Sequence, residues 1–287
     1  MGAEAYGLIG FFTMLQAWFM LLDLGLTQTI ARETARFRGG SMTSLTYRQL
    51  YRSLNIIFFG VAVTGCVILL LLAKDIATSW LKTDSLSIKE VSFAVQIMAI
   101  SIALRWTGGL YRGVISGSEH LIWLGTFNSI IATLRFIAVF VSMQNFGFTP
   151  TVFFLHQLAV ALIEIIGLFS KSNKLLPKLD NLAPSIGWSI SPVKPFLKFA
   201  LTIAFTSLTW ILVTQADKLV LSKILPLAEY GYFTVAVLVS SGIMIIGGPI
   251  STALMPRMTR LEAEGKHDAL IDVYRQATQI VAVTAIP

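Results

Sequence analysis

Seven apolar runs recur along this chain of 287 residues. An α-helix rises about 1.5 Å per residue, so each run of about twenty residues is long enough to cross a hydrocarbon layer about 30 Å thick. The runs therefore predict an all-α, polytopic transmembrane helical bundle. The predicted spans, A to G, cover residues 7–30, 54–73, 91–110, 121–143, 151–170, 196–215 and 230–250.

An eighth apolar run begins near Ala277 and ends at Pro287. Its eleven residues would reach only about 16 Å as a helix, which would leave a terminal carboxylate in lipid. We therefore expect the sequence to be a fragment of about seven to eight helices.

Composition excludes a soluble domain, because 55% of the residues are hydrophobic and only 13% are charged. The formal net charge is +7, and in a membrane protein such an excess usually marks cytoplasmic loops that face anionic lipid. The basic residues are not interleaved with aromatic residues in a polar domain, so we expect no nucleic acid partner. The single cysteine, Cys66, lies in an apolar run and can form no disulfide within the chain.

Most of the 22 lysines and arginines lie in the loops after spans A, C, E and G. The positive-inside rule places these loops in the cytoplasm and Met1 on the outer side. A chain that starts outside without a signal sequence suggests that an upstream helix is missing. The basic segment over residues 32–52 is interpreted either as a solvated loop or as an amphipathic stretch on the membrane surface.

The longest polar stretch contains Pro177, Pro184, Gly187 and Pro192. Such a composition is typical of a linker between two bundles. We expect an N-terminal transmembrane lobe over residues 1–170, a cytoplasmic linker over residues 171–195, and the start of a C-terminal lobe over residues 196–287.

Spans A and G show the same sequence features in the same order. Aligning Tyr6 with Tyr230 also aligns Gly7 with Gly231, and in both segments an acidic Tyr-Gly entry precedes a mid-span breaker and a basic exit. This correspondence indicates a transporter-type internal repeat with broken spans in both lobes. Glycine and proline weaken a helix, so four residues are predicted to let the two spans bend: Gly25, Gly247, Gly248 and Pro249.

Arg135 lies in the middle of span D. An intramembrane arginine costs about 2.5 to 3.5 kcal/mol, and about ten aliphatic or phenylalanine residues at about −0.3 to −0.6 kcal/mol each offset this cost. Span D can therefore insert, with Arg135 facing protein or water. Asn128, Arg135 and Ser142 are spaced by seven residues and share one helix face.

Span C contains two arginines, Arg105 and Arg112. Arg112 is predicted to lie near the cytoplasmic surface, where its long side chain can reach water. Arg105 lies about 10 Å deeper at about 1.5 Å per residue, and its charge needs a polar environment inside the bundle.

Two acids also lie inside predicted spans, Asp23 in A and Glu164 in E, whereas His156 is expected to be a structural side chain. One interpretation is that Arg105, Arg135, Asp23 and Glu164 form buried pairs that hold helices together. In the other, they line a water-filled cavity whose arginines bind an anionic group and whose acids bind or exchange a coupling cation.

Two segments carry a family resemblance, AEAYGLIGFFTMLQAWFMLLDLGLTQTIARETAR (residues 3–36) and TQADKLVLSKILPLAEYGYFTVA (residues 214–236). They resemble the polysaccharide flippases, the O-antigen and lipid-linked oligosaccharide exporters of the multidrug/oligosaccharidyl-lipid/polysaccharide superfamily. The resemblance implies two pseudo-repeated six-helix lobes, with A to E as the second to sixth helices. It also implies that Arg105 and Arg135 bind the diphosphate of an undecaprenyl-linked sugar unit, which alternating access inverts from the cytoplasmic to the outer leaflet.

We therefore expect a flippase for polysaccharide or O-antigen biosynthesis in the bacterial cytoplasmic membrane. The alternative is a cation-coupled drug antiporter, whose cavity would favour acids over arginines. No Asp-x-Asp or acid/base group of a membrane transferase is present, so we expect no enzyme, no catalytic residue, no metal and no cofactor. The expected partners are lipid-linked oligosaccharide, membrane lipid, a polysaccharide polymerase and glycosyltransferases.

Overall fold

The computed structural model describes residues 1–23, 25–177, 197–241 and 266–285. Apart from one isolated β-bridge between Lys82 and Pro226, the regular secondary structure of these residues is helical, which confirms the all-α prediction. The helices are α1 (Ala3–Phe19), α2 (Leu26–Arg38), α3 (Ser44–Asp75), α4 (Ile88–Gly117), α5 (Leu121–Phe136), α6 (Ala138–Phe146), α7 (Pro150–Leu175), α8 (Leu197–Ile224) and α9 (His267–Ala285). Residues 227–241 are also helical.

The chain forms two compact units, Met1–Gly231 and Tyr232–Pro287. The first contains α1 to α8, and the second contains α9. The predicted linker lies mostly outside the described residues, so the two-lobe division of the sequence stays a prediction. Gly247, Gly248 and Pro249 also lie outside the described residues.

Among the described residues, five helical segments are long and apolar enough to cross a membrane. They coincide with predicted spans A to E, while α8 covers span F. Large apolar side chains on α3, α5 and α7 point away from the bundle, among them Phe59 (62% exposed), Ile122 (88%) and Ile166 (62%). Lipid is the solvent in which such a surface is stable. The five segments are Ala3–Asp23, Ser44–Trp80, Ile88–Gly117, Leu121–Phe146 and Pro150–Leu175.

The helix of span A is interrupted near Gly25, where the sequence predicts a break. α1 ends at Phe19, a 3-10 turn covers Met20–Asp23, and Gly25 adopts a left-handed backbone conformation with a φ of 71° before α2 begins. This conformation costs a residue with a Cβ about 1 to 2 kcal/mol but is free for glycine. Whether the break bends during transport stays a prediction.

The basic segment over residues 32–52 is mostly helical, so it is not a simple solvated loop, and its location on the membrane surface stays a prediction. α2 continues to Arg38, and α3 already begins at Ser44, where the Thr43 side chain accepts a hydrogen bond from the Thr46 amide. α2 forms because Leu26, Ile30 and Thr34 follow at intervals of four and are all buried. This face packs on α4.

α4 is the central helix of the first unit. It contacts α2, α3 and α7, and it is the most buried of the five spans. A capping box fixes its start, because Ser87 accepts from the Glu90 amide and Glu90 accepts from the Ser87 amide. Arg105 and Arg112 are therefore positioned by the most buried of the five membrane-spanning segments.

Span D is two helices, with a break at Ile137 that the sequence did not predict. The break contains no glycine or proline, and its cause lies on α7. The His156 Nε2 lies 2.8 Å from the carbonyl oxygen of Leu134, and the Gln157 amide donates to the carbonyl oxygen of Arg135 at 3.2 Å. These side chains replace the helix hydrogen bonds lost at the break. His156 is thus a structural side chain, as expected.

Candidate functional site

Arg105 lies buried between α1, α4 and α7, with 5% of its surface exposed. Its guanidinium donates to two neutral amide oxygens, Oε1 of Gln157 at 2.7 Å and Oε1 of Gln16 at 3.1 Å, and it lies 5.2 Å from the centre of the Phe12 ring. No carboxylate among the described residues lies within 4.0 Å of it. The positive charge of Arg105 is therefore solvated by dipoles and a π-face, and no ion pair neutralises it.

Arg112 and Arg135 share one carboxylate, that of Glu164 on α7. Arg135 Nη2 donates to Glu164 Oε2 at 2.7 Å, and Arg112 Nη2 donates to Glu164 Oε1. Glu164 is 3% exposed, so it depends on these two partners for its solvation. Three guanidinium groups against one carboxylate leave an excess of two positive charges in this cluster, which we call the arginine cluster (Arg105, Arg112, Arg135 and Glu164).

A cavity of about 580 Å³ lies between α2, α4 and α8, on the side of the arginine cluster that is predicted to face the cytoplasm. We call it the inner cavity. It combines cations, hydroxyl and amide groups, and two indole rings. Its walls are formed by Met20, Asp23, Thr27, Gln28, Arg105, Trp106, Gly109, Arg112, Thr206, Trp210 and Ile211.

A second cavity, of about 350 Å³, lies between α1, α4, α5 and α7 toward the predicted outer side, and we call it the outer cavity. Arg105 and Met20 line both cavities, so Arg105 lies where they approach each other. Arg112 lines only the inner cavity and Arg135 only the outer one, among the described residues. The outer cavity is lined by Ile9, Phe12, Thr13, Gln16, Ala17, Met20, Arg105, Arg135, Phe136, Phe153 and Gln157.

Donor atoms of the cluster remain unused. Nε of Arg105 and Nε of Arg135 are buried, and neither has a hydrogen-bond partner among the described residues. A buried donor without an acceptor costs about 1 to 3 kcal/mol. The excess positive charge of the cluster can attract an anionic ligand to the cavities that Arg105 lines, although the two Nε atoms themselves are enclosed by protein.

Asp23 plays a local structural role beside the inner cavity. Its Oδ1 accepts from Thr27 Oγ1 at 2.6 Å and from the Thr27 amide at 3.3 Å, which satisfies the first turn of α2. It does not join the arginine cluster, although it lines the same cavity as Arg105. Among the described residues, no group of three or more His, Cys, Asp or Glu side chains could hold a metal ion.

The predicted site residues thus fit two interpretations in part, buried pairs that hold helices together and groups that line a cavity. Arg135 forms an ion pair with the buried Glu164, whereas Arg105 lines the cavities without a carboxylate. Sequence reasoning missed Arg112, which is bound to Glu164 and lies 28% exposed, so its side chain does not simply extend into the cytoplasm. The sequence could have indicated that Arg112 belongs to the cluster, since Arg105 and Arg112 lie seven residues apart on one face of α4.

Comparison with known proteins supports the membrane fold and the resemblance noted in the sequence. A family model with the description "Polysaccharide biosynthesis protein" matches residues 1–262. The searches of curated proteins and of solved structures gave no significant match. The family match covers the five membrane-spanning segments and the arginine cluster. The chain is therefore a multi-pass membrane protein that belongs to the polysaccharide biosynthesis protein family.

Proposed function

We propose that this protein moves a lipid-linked oligosaccharide across the bacterial cytoplasmic membrane, from the inner to the outer leaflet. The observation that carries the proposal is the buried charge of Arg105 between two cavities, with no carboxylate beside it among the described residues. A charge held inside lipid at such a cost is commonly functional. The family match is to proteins of polysaccharide biosynthesis, and the resemblance noted in the sequence implies a substrate that is carried on a lipid diphosphate.

The ligand group that the arginine cluster fits is a diphosphate. Two excess positive charges match the charge of a diphosphate diester, and guanidinium groups bind phosphate oxygens in pairs. Undecaprenyl diphosphate would place this anion at the membrane interior while its chain stays in lipid. The sugar unit would occupy the inner cavity, where Gln28 and Thr27 offer hydrogen bonds and Trp210 offers an aromatic face.

Arg112 and Arg135 supply a way for the anion to pass the cluster. Each holds one oxygen of Glu164, and each lines a different cavity. A phosphate that enters the inner cavity would compete with Glu164 for Arg112, and one that leaves through the outer cavity would compete for Arg135. Glu164 would keep the arginines charged and in place between transport cycles.

The contacts of Glu164 disfavour a cation-coupled drug antiporter. A carboxylate that is held by two guanidinium groups is a poor site for a further cation, because the local charge is already positive. Asp23 is the one predicted acid that lines a cavity without an ion pair among the described residues. A transport test with a cationic dye separates the two functions.

The test is to follow lipid-linked oligosaccharide in cells that depend on this protein for surface polysaccharide. Arg105→Glu and Arg105→Gln are expected to leave membrane insertion intact, abolish surface polysaccharide and accumulate the lipid-linked unit on the inner leaflet. Arg135→Glu should also stop export, but it places a second carboxylate beside Glu164 and is therefore less specific. Arg38→Gln, at the exposed end of α2, is the matched control and should export normally. Full export by Arg105→Glu, or resistance to cationic dyes that depends on the protein, would contradict the proposal.

A further inference from the structure

A further cavity, of about 320 Å³, lies on α3 at the end of the first unit that is predicted to be cytoplasmic. Its walls are formed by Arg48, Tyr51, Arg52, Asn55 and Ile56, and we call it the α3 pocket. These five residues line neither the inner nor the outer cavity, and they do not belong to the arginine cluster. The α3 pocket is therefore separate from the site to which the proposed function assigns the substrate.

The α3 pocket is predicted to lie at the depth of the lipid headgroups. Arg48 and Arg52 precede the apolar run of span B, which begins at Leu54. The positive-inside rule places these two arginines at the cytoplasmic surface, where the membrane carries anionic lipid. Ile56, the apolar wall of the pocket, already belongs to the apolar run and is exposed on the outside of the bundle. The pocket therefore lies across the boundary between the headgroups and the hydrocarbon layer.

Arg48 is held in place by a bond that uses only one of its donor atoms. Its Nε donates to the carbonyl oxygen of Pro177, beyond the end of α7, at 2.9 Å. Nη1 and Nη2 make no hydrogen bond to the described residues, and none of the described carboxylates lies within 4.0 Å of Arg48. Arg52 lies one turn further along α3, and like charges four residues apart repel each other. An anion bound beside both guanidinium groups would offset this repulsion.

An exposed apolar face of α3 continues from the pocket along the helix. Ile56 follows Arg52 by four residues, and Phe59, Val63 and Val67 follow at further intervals of three and four. All four apolar side chains are exposed, and residues at this spacing share one helix face. The face is thus basic at its cytoplasmic end and apolar over the rest of its length. A phospholipid of the inner leaflet has the complementary arrangement, with an anionic headgroup at the surface and acyl chains in the hydrocarbon layer.

We propose that the α3 pocket binds the headgroup of an anionic phospholipid of the inner leaflet, whose acyl chains lie along the exposed apolar face of α3. Guanidinium groups bind phosphate oxygens in pairs, and the side-chain amide of Asn55 offers further hydrogen bonds to the headgroup. Basic pockets on the cytoplasmic side of membrane helices bind such headgroups. The lipid is bound outside both cavities, so it is a resident lipid and not the transported one. This inference does not depend on the proposed function.

The first test compares the affinity of the purified protein, in micelles of a neutral detergent, for phosphatidylglycerol and for phosphatidylcholine with the same acyl chains. Arg48→Gln combined with Arg52→Gln should weaken phosphatidylglycerol binding about 30-fold and leave phosphatidylcholine binding unaltered. Arg52→Gln alone keeps the bond between Arg48 and Pro177 and should weaken it about fivefold. Arg38→Gln removes the same charge at the exposed end of α2 and is the matched control. Equal affinity of the double variant and the unmodified protein for phosphatidylglycerol would overturn the proposal.

Two competitors separate a phospholipid from other phosphate-bearing ligands. Inorganic phosphate should not displace phosphatidylglycerol, because it has no acyl chains to contact the apolar face of α3. A prenyl diphosphate should bind the double variant as well as the unmodified protein, since Arg105 is unchanged, and this result also shows that the variant is folded. Displacement by inorganic phosphate would indicate a simple anion site, and lost affinity for the prenyl diphosphate would assign the pocket to the substrate. Either result would overturn the proposal.

The second test locates the bound lipid in a bilayer. A fluorophore is attached to Phe59→Cys in a Cys66→Ala background, and the protein is reconstituted with phosphatidylglycerol or phosphatidylcholine that carries a nitroxide on its acyl chain. Phosphatidylglycerol should quench this fluorophore more strongly, and the difference should disappear when Arg48 and Arg52 are both replaced by glutamine. Ile166→Cys, on an exposed face of α7, is the control position and should be quenched equally by both lipids. Equal quenching by the two lipids at Phe59→Cys would show that no anionic lipid is held along α3.

Discussion

At the residue scale, the arginine cluster contains a carboxylate in ion pairs, that of Glu164, and an arginine whose charge no carboxylate neutralises among the described residues, Arg105. Glu164 is bound on both oxygens, whereas Arg105 meets only amide oxygens and an aromatic ring. Removing one member of a buried charge pair costs more than the pair contributes, because the remaining charge loses its partner in a medium of low dielectric. Glu164 is therefore expected to matter for stability and Arg105 for binding.

Glu164→Gln tests the structural half of this division. The change leaves Arg112 and Arg135 close together without a carboxylate, so the free energy of unfolding should fall by about 3 to 5 kcal/mol. Thermal unfolding of the protein in detergent micelles measures the effect. Glu119→Gln makes the same change at an exposed turn and should leave the unfolding temperature unaltered. An unchanged unfolding temperature for Glu164→Gln would show that the buried contacts do not stabilise the bundle.

At the element scale, two interruptions of predicted membrane-spanning helices determine where the walls of the cavities lie. One follows α1, where Gly25 turns the chain before α2, and the other separates α5 from α6 beside Arg135. The first could be predicted, because glycine and a neighbouring aspartate in an apolar run are a recognisable local signal. The second could not, because the side chains that replace its helix bonds, His156 and Gln157, belong to another helix. A break with a tertiary cause leaves no mark in the local sequence.

Gly25→Ala and Gly25→Asn test the first break. Alanine in a left-handed conformation costs about 1 to 2 kcal/mol, whereas asparagine tolerates it better. We expect the unfolding temperature to fall in the order glycine, asparagine, alanine, with export falling in the same order if the break also bends during transport. Gly60→Ala, in the middle of α3, should show neither loss. Identical stability of all three residues at position 25 would contradict the strain that the φ angle implies.

At the scale of the whole molecule, the fold class and spans A to E followed from the lengths of the apolar runs, because lipid imposes a simple rule on helix length. The same rule predicted that Arg105 lies inside the bundle, where the structure shows it buried. The ion pair of Arg112 with Glu164 could not be predicted, since a long side chain near a helix end can reach either water or a neighbouring helix. The repeat identified Gly7 and Gly231 as equivalent residues, but only the structure shows that they touch.

The central claim is that Arg105 offers its charge to a phosphate-bearing lipid, and equilibrium binding to the purified protein tests it most directly. The affinity for a prenyl diphosphate should be compared with that for the matching prenyl alcohol, in the unmodified protein and in Arg105→Gln. Charged hydrogen bonds to a guanidinium contribute about 1.5 to 3 kcal/mol, so the variant should bind the diphosphate about 10- to 100-fold more weakly and the alcohol equally well. Equal affinity of both proteins for the diphosphate would contradict this account of the site.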